Sequence, residues 1–131
     1  MAKTTRATQF LDKAGVAYTT ATYDYDPNAE RIGLQAAEAI GEHPSRVLKT
    51  LMAELDGKPV CVVVPSDKEV SMKKLASAFG GKSAAMMKPA NAEKLTGFVV
   101  GGISPFGQKK QVPTAIEISA MDEALVYMNG G

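Results

Sequence analysis

The chain has 131 residues, of which 45% are hydrophobic and 22% charged, and its formal net charge is +1. These values are ordinary for a globular protein and argue against a largely disordered chain. No apolar run approaches the length that spans a bilayer, and the amino terminus lacks the apolar core of a secretory signal, so we expect one cytoplasmic domain over residues 1–131.

The first third of the sequence predicts a helix, a strand and a second helix. Thr4 or Thr5 can cap a helix that ends at Gly15, because threonine accepts a backbone hydrogen bond and glycine adopts left-handed conformations. Residues 16–25 alternate between apolar and polar side chains, as a strand does. Residues 32–40 have helical spacing and are followed by a glycine.

The strongest hairpin signal is Asp56-Gly57, which separates residues 46–55 from the apolar run 58–64. An Asp-Gly pair favours a two-residue turn in which both positions have positive φ. Because the second strand is almost wholly apolar, we expect it at the centre of the sheet.

The second half of the chain mixes shorter helices and strands. Ser71 can cap a helix that stops at Gly80-Gly81, and residues 89–95 form a shorter helix. The pattern predicts a short buried strand at 98–100 and a strand with one wet face at 114–118.

The carboxyl-terminal residues predict a turn or short helix around Asp122 and the start of another strand at 126–128. Together the predicted elements indicate a single mixed α/β domain.

The loop at 97–110 concentrates glycines, one proline and a pair of lysines. Gly97, Gly101, Gly102 and Gly107 permit backbone conformations and close approaches that a side chain would block, and Pro105 fixes its own φ. Such a loop exposes backbone N–H groups, which can serve as donors to an anion or an oxyanion.

Lys49 and Thr50 interrupt the apolar run 47–52, where a charge is costly unless it has a partner or a function. Two interpretations remain open. Lys49 lies on the floor of a pocket, or it is an edge-strand lysine whose ammonium reaches solvent.

Charge is distributed unevenly, since residues 58–110 hold nine basic and three acidic side chains. This segment either attracts a polyanion or forms an ordinary solvated surface. Its candidate lysines are Lys82, Lys88, Lys94, Lys109 and Lys110.

No familiar catalytic or metal-binding motif is present. Cys61, the only cysteine, lies in an apolar run and is interpreted as a core residue, which excludes an internal disulfide. His43 precedes Pro44 in a loop without nearby ligands, so we expect a loop or capping role, no metal and no cofactor. Ser104 lacks the glycine spacing of a nucleophile elbow, and there is no Walker loop.

Several of these segments resemble the YbaK family of aminoacyl-tRNA deacylases, which are related to the editing domain of bacterial prolyl-tRNA synthetases. The resemblance is carried by Val47-Leu-Lys-Thr-Leu51, residues 60–65, Lys73-Lys-Leu-Ala76, Pro113-Thr114 and above all Thr96-Gly-Phe-Val-Val-Gly-Gly-Ile-Ser-Pro-Phe-Gly-Gln-Lys-Lys110. It implies one domain with a mixed, largely antiparallel, barrel-like sheet surrounded by helices.

The Cys-tRNA(Pro) deacylase branch is the most similar, and it implies a trans-editing hydrolase that removes cysteine, or alanine in sister branches, from tRNA(Pro). Its members lack a dedicated protein nucleophile, and the thiol of the substrate attacks its own ester. The implied partners are the acceptor end of tRNA(Pro) and prolyl-tRNA synthetase, with no role for DNA or a membrane.

The resemblance also implies roles for individual residues. Lys49 and the loop at Gly101, Gly102 and Ile103 correspond to the catalytic parts of the pocket. The implied substrate-binding residues are Tyr23, Thr50, Ser104, Pro105 and Asn129. The implied tRNA-binding residues are Lys88, Lys94, Lys109 and Lys110.

Two departures from the family pattern accompany this resemblance. Asn129 replaces the serine of cysteine-specific members, and the family's further strand, helix and pocket aspartate do not follow Gly130-Gly131 in this sequence. We therefore expect an exposed sheet edge or core face. The alternatives to an enzyme are a module that binds tRNA or another anion without turnover, and a small-ligand or nucleotide-binding regulator.

Overall fold

The computed structural model describes residues 4–22 and 32–131. Its helices are α1 (Arg6–Ala14), α2 (Ile32–Ile40), α3 (Met72–Ala78) and α4 (Pro89–Thr96), with short 3₁₀ helices at Pro44–Arg46 and Ile118–Asp122. Its strands are β1 (Leu48–Leu55), β2 (Lys58–Pro65), β3 (Ala84–Met86) and β4 (Thr114–Ile116). Among the described helices, none has the length and apolar character needed to cross a bilayer.

The four strands form a mixed sheet in the order β3-β1-β2-β4. Strand β1 is antiparallel to β2 and β3, whereas β2 is parallel to β4. The predicted mixed, largely antiparallel sheet with surrounding helices is confirmed, and so is the interior position of β2. Over the described residues, however, the sheet is open rather than barrel-like, because no ladder joins β3 to β4.

The β1-β2 hairpin has the predicted turn. Asp56 and Gly57 have φ values of 49° and 82°, and Leu55 pairs with Lys58 directly beside them. Strand β1 begins at Leu48, two residues later than predicted, because the preceding residues form the first 3₁₀ helix. His43 caps that helix by accepting the Ser45 N–H, in agreement with a capping role.

Local signals also set the helix ends. Thr5 and Thr8 form a reciprocal capping box at the start of α1, with the Thr8 N–H donating to Thr5 Oγ1 over 3.1 Å. Gly15 and Gly41 follow α1 and α2 with positive φ, and Ser71 caps α3. These contacts satisfy backbone groups that a helix end leaves unpaired.

Alternation along β1 and β2 divides the core between the two faces of the sheet. Leu48, Met52, Cys61 and Val63 face one cluster, which α1, α4 and the glycine-rich loop cover. The opposite cluster contains Ala53 and the even-numbered valines of β2, and α3 covers it through Leu75. A small third cluster joins α2 to Val47.

The predicted strand at 98–100 is wrong. Phe98 is buried, with 9% of its surface exposed, but Val99 is 67% exposed, so the two residues lead into a turn instead of a sheet. Gly97 ends α4 with φ of 83°, which redirects the chain before a strand can form.

The remaining differences involve short pairings. Residues 16–22 contain no strand, and the rest of that prediction, 23–25, lies outside the described residues. The predicted strand at 126–128 is reduced to a single bridge between Val47 and Tyr127. Strand β4 ends at Ile116 because Glu117 caps the predicted short helix near Asp122, and the three-residue β3 was not predicted.

Asp56 also fixes the chain before β3, because its carboxylate accepts the N–H of Ser83 over 2.9 Å and that of Lys82 over 3.1 Å. These donors, Lys82 first, lower the pKa of Asp56 below its ordinary value of 3.8. The unfolded chain therefore takes up this proton at a higher pH than the folded chain does. The stabilisation is present above the unfolded pKa and is lost as the pH falls through the folded pKa.

We expect Asp56→Asn to lower the free energy of unfolding by a constant amount between about pH 5 and 7, and by progressively less as the pH falls below the ordinary carboxyl pKa. Asparagine tolerates the positive φ, so the turn is retained while the charge is lost. Urea unfolding of both proteins across this pH range measures the difference. A difference that stays constant down to pH 2 contradicts the assignment.

Candidate functional site

Over a short stretch, no strand of the described residues covers the outer edge of β1. The Leu48 N–H donates to the Tyr127 carbonyl over 2.8 Å, and the Met52 carbonyl accepts the Met87 N–H over 3.0 Å. Because backbone groups alternate in direction along a strand, the N–H and C=O of Thr50 point to this same edge. No strand of the described residues pairs with them. The uncovered stretch is about 13 Å long.

A cleft of about 1060 Å³ opens at this edge. Lys49 and Thr50 both line it, although successive side chains of a strand point to opposite faces. The uncovered edge explains this, since the cleft reaches both faces of β1. Its other walls come from α1, α2, residues 16–21 and 66–69, the start of α4, the glycine-rich loop and residues 124–130.

Thr50 places an unpaired polar atom in this cleft. Its side chain lies on the face of β1 that carries Leu48 and Met52, opposite Val63 in the ladder. The Oγ1 atom is buried and has no hydrogen-bond partner within the part of the chain that the structure describes. A buried hydroxyl without a partner destabilises the fold, but it can donate to or accept from a bound ligand.

Lys49 brings a positive charge to the other face. The side chain is half-buried, its strand neighbours on that face are Val47 and Leu51, and its ladder partner is Val64. Among the described residues it forms no ion pair. Strand β1 is interior to the sheet but locally unpaired beside Lys49, so the ammonium borders the cleft from an apolar surface, where it can hold a polar or anionic group.

The glycine-rich loop contributes a tight turn at residues 99–102. The Gly102 N–H donates to the Val99 carbonyl over 2.8 Å, and Gly101 has φ of 92°, as in a type II turn. Two side chains hold its ends. Glu93 accepts the Val100 N–H over 2.8 Å, and Asn129 donates to the Gly101 carbonyl over 3.0 Å.

These contacts determine which backbone N–H groups of the loop remain available to a ligand. Gly101 and Ile103 line the cleft, and their N–H groups donate to no other described residue. The Gly102 N–H is already used within the turn. The loop can therefore stabilise a negative oxygen through Gly101 and Ile103, while Gly102 shapes the turn.

Ser104 lies inside the loop and is 0% exposed. Its Oγ accepts a hydrogen bond from the Phe106 N–H over 3.1 Å, and its carbonyl accepts one from Nε2 of Gln108 over 3.0 Å. Neither Ser104 nor Pro105 lines the cleft. Ser104 therefore supports the loop from within, and the substrate contacts of Ser104 and Pro105 stay a prediction.

Two other residues, Tyr23 and Asn129, were also predicted to bind the substrate. Tyr23 lies outside the described residues. Asn129 lines the cleft, but both ends of its amide are engaged, since Oδ1 also accepts the Gly131 N–H over 2.9 Å. Glu93 was missed by the sequence analysis, because an exposed glutamate in a short helix carries no signal of a contact with the next loop.

The four predicted tRNA-binding lysines are exposed and form no ion pair with described residues. Lys88 and Lys94 lie at the two ends of α4, and the Lys109 N–H bonds to the Thr96 carbonyl near the helix end. Lys110 instead lines a second depression with Lys58, beside the β1-β2 turn. Lys88 and Lys94 thus belong to the two ends of α4, Lys109 lies beside its last residue, and Lys110 lies apart.

Cys61 is a core residue, as predicted. It is fully buried, and burial raises the pKa of its thiol, although hydrogen bonds from Thr114 and Gln108 act in the opposite direction. A buried thiol that resists ionisation is a poor nucleophile. Cys61 therefore packs the core beneath the loop.

The model of the aminoacyl-tRNA editing domain family matches residues 26–131. A protein of Enterococcus faecalis named a candidate Cys-tRNA(Pro)/Cys-tRNA(Cys) deacylase, EbsC, is 31% identical over 129 residues, which is 97% of this chain and 77% of that protein.

Two further proteins are similar to this chain at lower sequence identity. The multifunctional Ser/Thr-tRNA deacylase ProXp-y of Escherichia coli is 25% identical over 101 residues, covering 77% of this chain and 60% of that protein. A crystal structure described as a candidate trans-editing enzyme for prolyl-tRNA synthetase superposes with a TM-score of 0.80 at 22% identity, over 96% of this chain and 78% of the other. The latter establishes the shared fold.

The unpaired hydroxyl in the cleft leads to a prediction about stability. Thr50→Val keeps the shape of the side chain and removes Oγ1, so we expect the free energy of unfolding to rise by about 1 kcal/mol. The matched control is Thr96→Val, where the lost hydroxyl donates to the Ala92 carbonyl over 2.8 Å, so stability should fall. Urea unfolding compares both variants with the parent. If Thr50→Val destabilises as much as Thr96→Val, the hydroxyl has a partner in solution.

Proposed function

Because this chain belongs to the aminoacyl-tRNA editing domain family, we propose that it is a deacylase that hydrolyses the ester between an amino acid and its tRNA. It acts in trans on tRNA that a synthetase has charged wrongly. A synthetase pocket separates similar small side chains by only about 1–3 kcal/mol, so a second site has to remove the errors.

One observation carries this proposal, namely that backbone donors without a partner among the described residues line the cleft at the edge of β1. The N–H groups of Gly101 and Ile103 belong to one wall of the cleft, and Lys49 and Thr50 belong to its floor. An ester carbonyl placed between them gains hydrogen bonds as its oxygen becomes negative. Loss of one such donor typically raises the barrier by about 2.7–4 kcal/mol.

We propose Cys-tRNA(Pro) as the substrate, supported by the likeness to EbsC over nearly the whole chain. The substrate thiol, as a thiolate, forms a bond to its own ester carbon, and the ribose oxygen leaves and takes up a proton. The cysteine leaves as a thiolactone, and water then breaks its new C–S bond to give the free amino acid, so no protein nucleophile takes part. The chain's part is to hold the ester and to stabilise the oxyanion, with Lys49 anchoring the aminoacyl-adenosine end.

The lysines along α4 support binding of the tRNA acceptor end. Lys88 directly precedes Pro89, which lines the cleft, and Lys94 and Lys109 are exposed at the other end of α4. We include Lys110 as a more distant phosphate contact. Phosphate contacts release counterions, so affinity should fall as salt rises. Association with prolyl-tRNA synthetase is part of the proposal, and sedimentation of the two proteins with and without tRNA tests it.

The decisive experiment measures release of amino acid from four purified substrates, Cys-tRNA(Pro), Ala-tRNA(Pro), Ser-tRNA and Thr-tRNA, with spontaneous ester hydrolysis subtracted. We expect the fastest turnover with Cys-tRNA(Pro) and a KM that rises with salt. Faster turnover of another substrate keeps the deacylase and changes its amino acid. If a folded chain hydrolyses none of them, the function is binding without turnover.

Lys49→Ala is expected to lower kcat/KM by about tenfold or more while the protein stays folded, because the charged anchor of the aminoacyl end is lost. Lys58→Ala is the control, since this exposed lysine lies at the opposite end of the hairpin. Thermal unfolding verifies the fold of both variants. Parental deacylation by folded Lys49→Ala removes Lys49 from the site.

A further inference from the structure

The turn at residues 99–102 is held from two sides by side chains that belong to separate parts of the chain. We propose that Glu93 and Asn129 are positioning residues, which orient this turn so that the Gly101 N–H is presented to the reacting ester. The inference rests on the proposed deacylase function and extends it to two side chains that do not themselves contact the reacting atoms.

Glu93 holds the first half of the turn. Its carboxylate accepts the Val100 N–H over 2.8 Å, and its backbone carbonyl accepts the Gly97 N–H over 2.9 Å at the end of α4. One residue therefore both ends the helix and fixes the peptide that enters the turn. Because α4 packs on the core through Ala92, the carboxylate has a rigid base.

Asn129 holds the second half. Its Nδ2 donates to the Gly101 carbonyl over 3.0 Å, and its Oδ1 accepts the Gly131 N–H over 2.9 Å. The segment that carries it is anchored on both sides. Tyr127 pairs with β1, and the Thr5 hydroxyl at the start of α1 donates to the Gly130 carbonyl.

These contacts fix the peptides on either side of the Val100–Gly101 peptide. The Gly101 carbonyl belongs to the same peptide as the Gly102 N–H, which bonds to Val99, so that peptide is held at both of its polar atoms. The central peptide of such a turn can otherwise flip between type I and type II, and glycine at the third position tolerates both. A flip would reverse the direction of the Gly101 N–H.

The orientation of this turn affects the rate of the reaction. A misplacement of about 1 Å in a reacting group can cost about 100-fold in rate, although the residue responsible lies away from the chemistry. Removing either side-chain contact should therefore lower kcat, whereas substrate affinity depends mainly on other groups. Glu93 and Asn129 act on one turn, so the two effects should not be additive.

The test uses the full chain with Asn129→Asp, Glu93→Ala, their double variant and the conservative Glu93→Gln. Aspartate at 129 still accepts the Gly131 N–H but cannot donate to the Gly101 carbonyl, and glutamine at 93 still offers an oxygen to Val100. Asn91→Asp is the matched control, because it makes the same chemical change at an exposed position of α4. Two quantities are measured: the nuclear Overhauser effect between Val100 Hα and the Gly101 N–H, which is strong in a type II turn and weak in a type I turn, and kcat and KM for the best substrate.

We expect a weaker Overhauser effect between Val100 Hα and the Gly101 N–H and a kcat reduced about 10- to 100-fold in Asn129→Asp and Glu93→Ala, with KM changed less than about threefold. Glu93→Gln should retain most of the activity, Asn91→Asp should match the parent, and the double variant should lose less than the product of the two single effects. Parental kcat in folded Asn129→Asp, or a loss of kcat without a weaker Overhauser effect between Val100 Hα and the Gly101 N–H, overturns the positioning role. If the parent hydrolyses no aminoacyl-tRNA, the deacylase proposal fails and the catalytic role fails with it. If the parent is active and the variants keep the parental Overhauser effect, only this inference is overturned.

Discussion

The interrupted pairing of β1 is the constraint on which the rest of the site depends. A strand inside a sheet normally has neighbours along its whole length, and unpaired backbone groups are a liability that proteins cover. Here Tyr127 and β3 cover the two ends of β1, and within the described part of the chain no strand pairs with the backbone of Thr50 between them. Backbone N–H and C=O groups that would form hydrogen bonds in a complete sheet are therefore available in the cleft.

The walls of the cleft come from segments that make little regular structure of their own. The glycine-rich loop packs Phe98 and Ile103 into the core and keeps a turn at the surface. The carboxyl-terminal segment contributes one bridge to β1 and one amide to the loop. Hydrogen bonds between side chain and backbone take the place of ladders here, so the geometry of the site depends on a few individual contacts.

Sequence reasoning succeeded where the signal was local. The Asp56-Gly57 turn and the helix caps at Thr5 and Ser71 are properties of adjacent residues. It failed where the outcome depends on distant partners. Asn129 and Gly101 are 28 residues apart in sequence, and the uncovered edge at Thr50 exists only because of where Tyr127 and Met87 pair. The buried apolar pattern at Phe98 suggested a strand, but glycines on both sides determined the path of the chain.

The contacts of the short helix α1 influence how the structure opens locally. The Thr5 hydroxyl contacts Gly130, and Gly107 lies so close to Arg6 that a Cβ at Gly107 would overlap the Arg6 carbonyl oxygen. A helix of nine residues has little stability of its own and buries only Ala7. Fraying of this one helix would release the loop and the carboxyl-terminal segment together while the β1-β2 hairpin stays intact. Local opening, at a free-energy cost below that of global unfolding, would then set the fraction of molecules with an assembled cleft.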